Sequence, residues 1–147
     1  MAVPESAFPE VQVQLSVRRG AEAVAFYEQA FGAEQVFRFG GDAGNEEVVA
    51  QLAVGDTRFW VEDESPEHHN FSPETLGGAT MRMLLVVDDP AALVRRAMAA
   101  GAKEIYPVEE AHGWLLGRVV EPFGHHWEIG KPMSTWPPQT TPDGSLR

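Results

Sequence analysis

AFGAEQVF at residues 30–37 is answered sixty-nine positions later by AAGAKEIY at residues 99–106. In both, small residues close a helix, a glycine stops it, and a strand pattern begins at once. A junction that returns in this way marks two copies of one supersecondary unit.

Outward from the first junction, VQVQLSV at residues 11–17 alternates. Val13, Leu15 and Val17 share one face, and Gln12, Gln14 and Ser16 the other, which predicts a strand with one buried face. The period then changes. Ala23, Val24, Tyr27, Ala30 and Phe31 recur at three- and four-residue spacing, so residues 20–31 read as an amphipathic helix ended by Gly32. Strands follow at 34–39, 47–54 and 57–62, the last two joined by the hairpin signal Gly55-Asp56. Residues 64–79, with Pro66, Pro73, Gly77 and Gly78, lack a period and read as a linker or covering loop.

The pattern then restarts. Residues 81–87 form a strand, Asp88-Asp89-Pro90 opens a helix lined by Leu93, Val94, Ala97 and Met98, and Gly101 stops it. Three strands are expected at 103–107, 113–120 and 125–129. The order β-α-β-β-β thus occurs twice, and the expected class is α+β: two paired βαβββ modules forming a cupped, incomplete barrel. The folded domain spans 11–131, with modules at about 11–63 and 80–131. Residues 1–10 form an N-terminal extension and 132–147 an irregular tail.

Composition narrows the function classes. Twenty-two acids against eleven bases give a formal charge of −11, a field that repels phosphate backbones and anionic membranes. Neither nucleic acid nor membrane is therefore expected as a partner. There is no cysteine, so thiolate nucleophiles and thiolate metal sites are absent. No secretory signal or membrane span is evident, and the expected location is cytoplasmic. Nucleotide, nicotinamide and serine-hydrolase motifs are missing too.

FYEQAFGAE (residues 26–34), VVDDPAALVRRAMAAGA (86–102) and above all GRVVEPFGHHWEI (117–129) resemble segments of the vicinal-oxygen-chelate superfamily, in its glyoxalase/bleomycin-resistance, PhnB-like subgroup. The resemblance covers nearly all of 11–131. It implies a fold shared by lyases, isomerases, epimerases, ring-cleaving dioxygenases and antibiotic-sequestering binders, commonly homodimeric. Enzymes of this group hold a divalent metal with His or Glu from four strands. Carried over, those positions fall on Gln12, Trp60, Arg82 and Glu128. Only Glu128 is a usual donor, since Arg is cationic and has no lone pair to offer. The resemblance therefore implies no favoured metal cofactor, with Arg82 neutralising Glu128 where relatives keep a cation.

The candidate ligand pocket comprises Gln12, Gln14, Arg58, Trp60, Glu62, Arg82, His126 and Glu128. By alternation Trp60 shares a face with Arg58 and Glu62, which suits a cavity wall more than dry core. Trp127 belongs on the opposite face from His126 and Glu128. Two functions from different classes stand open. One is binding of a small, aromatic or anionic molecule for sequestration, carriage or sensing. The other is a metal-dependent lyase, isomerase or dioxygenase, its divalent metal held by Glu128, His126 and Glu62. No catalytic residue is assigned. A purely structural protein with a filled cavity is the third reading.

Overall fold

A carboxylate ties the first module together. Asp63 accepts the backbone N–H of Gly20 at 2.9 Å through Oδ1 and that of Val48 at 2.6 Å through Oδ2. One side chain thus joins the start of a helix to the ends of two strands. A Cβ on Gly20 would lie 2.8 Å from Asp63 Oδ2, which explains the glycine there.

The computed structural model describes residues 8–42, 47–134, 136–137 and 144. Most of the expected N-terminal extension and most of the tail beyond 137 lie outside the described residues. Two compact units divide the chain, residues 1–79 and 80–147. The first contains β1 (Val13–Val17), α1 (Gly20–Phe31), β2 (Glu34–Phe39), β3 (Val49–Val54), β4 (Thr57–Asp63) and a short α2 (Pro73–Leu76). Its sheet runs β1-β4-β3-β2, with β1 and β4 parallel and the other neighbours antiparallel. The second contains β5 (Arg82–Val86), α3 (Pro90–Ala99), β6 (Lys103–Ala111), β7 (Trp114–Val120) and β8 (His126–Pro132). It repeats the plan as β5-β8-β7-β6, with β5 and β8 parallel. Two four-stranded mixed sheets, each with a crossing helix, are the α+β modules the sequence predicts.

Each core lies between a helix and one sheet face. In the first unit, Tyr27 is fully buried and meets Phe59 of β4 edge-on at 5.4 Å and Phe31 in a stack at 6.0 Å. Leu15, Val17, Leu52 and Val61 complete that layer. In the second unit, Val94 and Ala97 of α3 are buried, as are Val119, Trp127 and Ile129 of the sheet. Both helices end as their residues dictate. Gly32 takes a left-handed conformation with φ 69°, while Asp89 caps α3 by accepting the Ala92 N–H at 3.1 Å.

Two strands run further than periodicity shows. β6 extends to Ala111 instead of ending at 107, passing Pro107 where the register with β7 shifts between Tyr106 and Glu109. An edge strand tolerates a residue without a donor at such an irregularity. β8 continues through Gly130 to Pro132, which pairs with Trp114.

Residues 64–79 are ordered by side chains bonding to backbone, a signal without a period. Glu64 Oε1 accepts the Ser72 N–H at 2.9 Å, and Oε2 accepts the Thr75 hydroxyl at 2.8 Å. Ser72 is fully buried and caps α2 through the Thr75 N–H. The Ser72 backbone bond holds the Glu64 carboxyl below its ordinary pKa, burial opposes this, and Thr75, Ser72 and Arg18 add to it. A depressed carboxylate contributes stability that is complete above the unfolded value, about 4.3 for Glu, and is lost as pH falls through the folded one. Glu64→Gln is therefore expected to lower the urea midpoint at pH 7 and to flatten its fall between about pH 5 and pH 3. Parallel wild-type and mutant curves across that window would remove Glu64 from the acid response.

Candidate functional site

Strand alternation turns one row of each sheet away from its helix. In the second unit that row carries Arg82 and Leu84 on β5, His126 and Glu128 on β8, and Trp114, Leu116 and Arg118 on β7. Register fixes who meets whom. Arg82 lies beside His126, Leu84 beside Glu128, and Arg118 opposite Glu128. The Arg82 Nε donates to Glu128 Oε1, and the Arg118 Nη2 donates to the same oxygen at 3.3 Å. The acid is the covered member, its side chain 13% exposed against 24% for Arg118 and 58% for Arg82.

Arg118 was missed by sequence reading, although its signal was present. The loop 121–125 joins β7 to β8 as a hairpin, so counting outward from it brings 118 opposite 128. Its guanidinium also sits 5.3 Å over the Tyr106 ring, and its Nε is buried without a partner. His126 Nδ1 is likewise buried without a partner. Burial, and secondarily the charge of Arg118, push the His126 pKa below its ordinary value, which favours the neutral imidazole.

A groove of about 590 Å³ opens over this row, with Arg82, Leu84, Leu116, Glu128, Trp114 and Trp136 among its walls. Trp114 and Trp136 meet edge-on at 5.7 Å. A few charged groups among aromatic and aliphatic walls are the usual makings of a small-molecule site.

In the first unit the corresponding row presents Trp60 between Arg58 and Glu62 on β4, with Gln51 opposite Trp60 on β3. The Trp60 indole N–H donates to Gln12 Oε1 at 2.8 Å, and Gln51 Nε2 donates to the same oxygen at 2.9 Å. Both donors spend Gln12's acceptor on holding the indole plane, and Phe37 buttresses it edge-on at 6.3 Å. Gln12 thus orients Trp60. Gln14, beside Trp60 in register, is exposed. Gln51 and Phe37 were not singled out by sequence, because their contact with Trp60 depends on how β2, β3 and β4 align.

The donor set bears on metal chemistry. The Gln12 oxygen is occupied by two N–H groups, Trp60 offers only a donor, Arg82 is a cation, and a Glu128 oxygen is shared by two guanidiniums. Among the described residues no three His, Asp or Glu side chains gather as a cation cluster. Glu62 stands on the first sheet, while His126 and Glu128 stand on the second.

A βαβββ module used twice, each copy turning a polar row away from its helix, defines a class of α+β proteins. The chain belongs to the glyoxalase/bleomycin resistance protein/dioxygenase superfamily, whose family model matches residues 11–129. It is 33% identical over 129 residues to an uncharacterized protein of Mycobacterium bovis, covering 85% of this chain and 84% of that one. Among solved structures, an Arabidopsis thaliana gene product is 27% identical, with a TM-score of 0.65 over 84% of this chain and 99% of the other. The fosfomycin resistance protein FosX of Listeria monocytogenes, solved with manganese(II) and sulfate, is 11% identical. Its TM-score is 0.64 over 86% of this chain and 94% of that one, a likeness of fold. No helix among the described residues is long and apolar enough to cross a membrane.

Proposed function

We propose that this protein binds a small molecule with an apolar, aromatic body and an anionic group, for sequestration, carriage or sensing, without a metal cofactor. The observation that carries the reading is the sharing of Glu128 by Arg82, which lines the groove with it, and by Arg118 of β7. Two guanidiniums against one carboxylate leave one positive charge there. That charge acts at contact distance, whereas the chain's net −11 is spread over the surface and screened beyond about 8 Å at physiological salt. The tryptophan and leucine walls supply the apolar contact. The donor chemistry supports leaving the metal out: a cation placed at Glu128 would face two fixed positive charges. On the first sheet, the Trp60 face is offered as a stacking surface held flat by Gln12. The homodimer that the resemblance implies and the cytoplasmic setting expected from the sequence belong to this reading as well.

Thermal shift with a panel of aromatic acids, amides and amines tests it. An acid at a hundred times its Kd is expected to stabilise the fold by about 2.7 kcal/mol, with amines inert. Arg82→Ala is expected to weaken that acid about tenfold, the scale of one partly exposed charge contact. Stoichiometric metal in protein purified without chelator, or a panel without effect, would sink the proposal.

A further inference from the structure

Among the described residues lining the groove, Glu128 is the acid and Arg82 the permanently charged base. Arg118 reaches the same Glu128 oxygen from β7. We infer that Glu128 sets the charge of the ligand: with its carboxylate between Arg82 and Arg118, the groove takes a monoanion in preference to a dianion or a cation, and an aromatic monocarboxylate is the matching class. The inference deepens the binding reading and rests on it.

The arithmetic of the cluster favours one added negative charge. Two guanidiniums and two carboxylates balance, which is the state a monoanionic ligand creates beside Glu128. A dianion would leave the cluster negative inside a chain already at −11. A cation would face the unopposed guanidinium. Exposure runs the right way as well, because the acid is covered while the more exposed base, Arg82, stands toward the open side. Without Glu128 the same pair would present two positive charges and match a dianion. An acid in that position therefore acts against doubly charged ligands rather than toward tighter binding.

The test compares 2-naphthoate, singly charged, with 2-naphthyl phosphate, mostly doubly charged at pH 8, by calorimetry at fixed ionic strength. Wild-type protein is expected to bind the carboxylate more tightly. Glu128→Gln is expected to shift the ratio of affinities toward the phosphate by about tenfold. Arg118→Gln should weaken naphthoate binding about tenfold, and the double variant with Glu128→Gln should recover it, since Arg82 alone again leaves one positive charge. An unchanged ratio in Glu128→Gln, or a double variant no better than Arg118→Gln, overturns the charge-setting role and leaves the binding reading standing. Failure of wild-type protein to bind either probe overturns both. The wild-type ranking needs no variant to fold, and a phosphate bound more tightly than naphthoate overturns the inference by itself.

Discussion

Tyr27→Ala is expected to destabilise the protein by about 3 to 5 kcal/mol, as truncation of a buried aromatic does. The ring is fully buried, packed edge-on against Phe26 at 5.5 Å and Phe59 at 5.4 Å, and stacked on Phe31 at 6.0 Å. Part of the cost is lost transfer energy, and the remainder is a cavity that three other rings cannot collapse to fill. Because Phe59 precedes Trp60 on β4, damage to the helix side should be felt on the other face of the sheet. The measurement is urea unfolding followed by far-ultraviolet circular dichroism and by tryptophan fluorescence. A loss under about 1 kcal/mol would show that this layer is not the core of the first unit.

Asp63→Ala is expected to cost about 2 to 4 kcal/mol, because two backbone N–H groups lose an ionised acceptor together. Gly20 and Val48 are both buried, so water cannot replace the carboxylate without opening the helix start. Asp63→Asn keeps one acceptor oxygen and should retain roughly half of the loss. Hydrogen exchange at the Gly20 and Val48 amides checks the mechanism directly. Continued protection of both amides in Asp63→Ala would refute it. The second unit has its own buried acid: Glu121, 2% exposed, accepts the N–H groups of Phe123 and His125 at 3.2 and 2.7 Å in the loop between β7 and β8.

What could be read from the sequence had a period. Alternation and helical spacing gave both βαβββ units, and the repeated AFGAEQVF and AAGAKEIY junctions fixed their order. The hidden parts were interactions that leave no period. Asp63, Glu121 and Glu64 act through backbone N–H groups brought to them by folding, so nothing in their spacing distinguishes them from solvated acids. The candidate site divides along the same line. Arg82 and Glu128 could be paired from family position, whereas Arg118 needed the β7–β8 register and Gln51 the β3–β4 register. Gln12 shows a third limit. A polar residue on an open face reads as a ligand contact until its acceptor is found spent on a neighbour.

The border strand β6 has one further consequence. It ends its sheet with an exposed run containing Lys103, Glu104, Glu109 and Glu110, and it is interrupted by Pro107 and two slips against β7. A straight ribbon of free amides would invite other chains to add on indefinitely, whereas a kinked, charged one gives them no matching ladder. Self-association at the β6 border must therefore use side chains rather than continuation of the sheet past that strand.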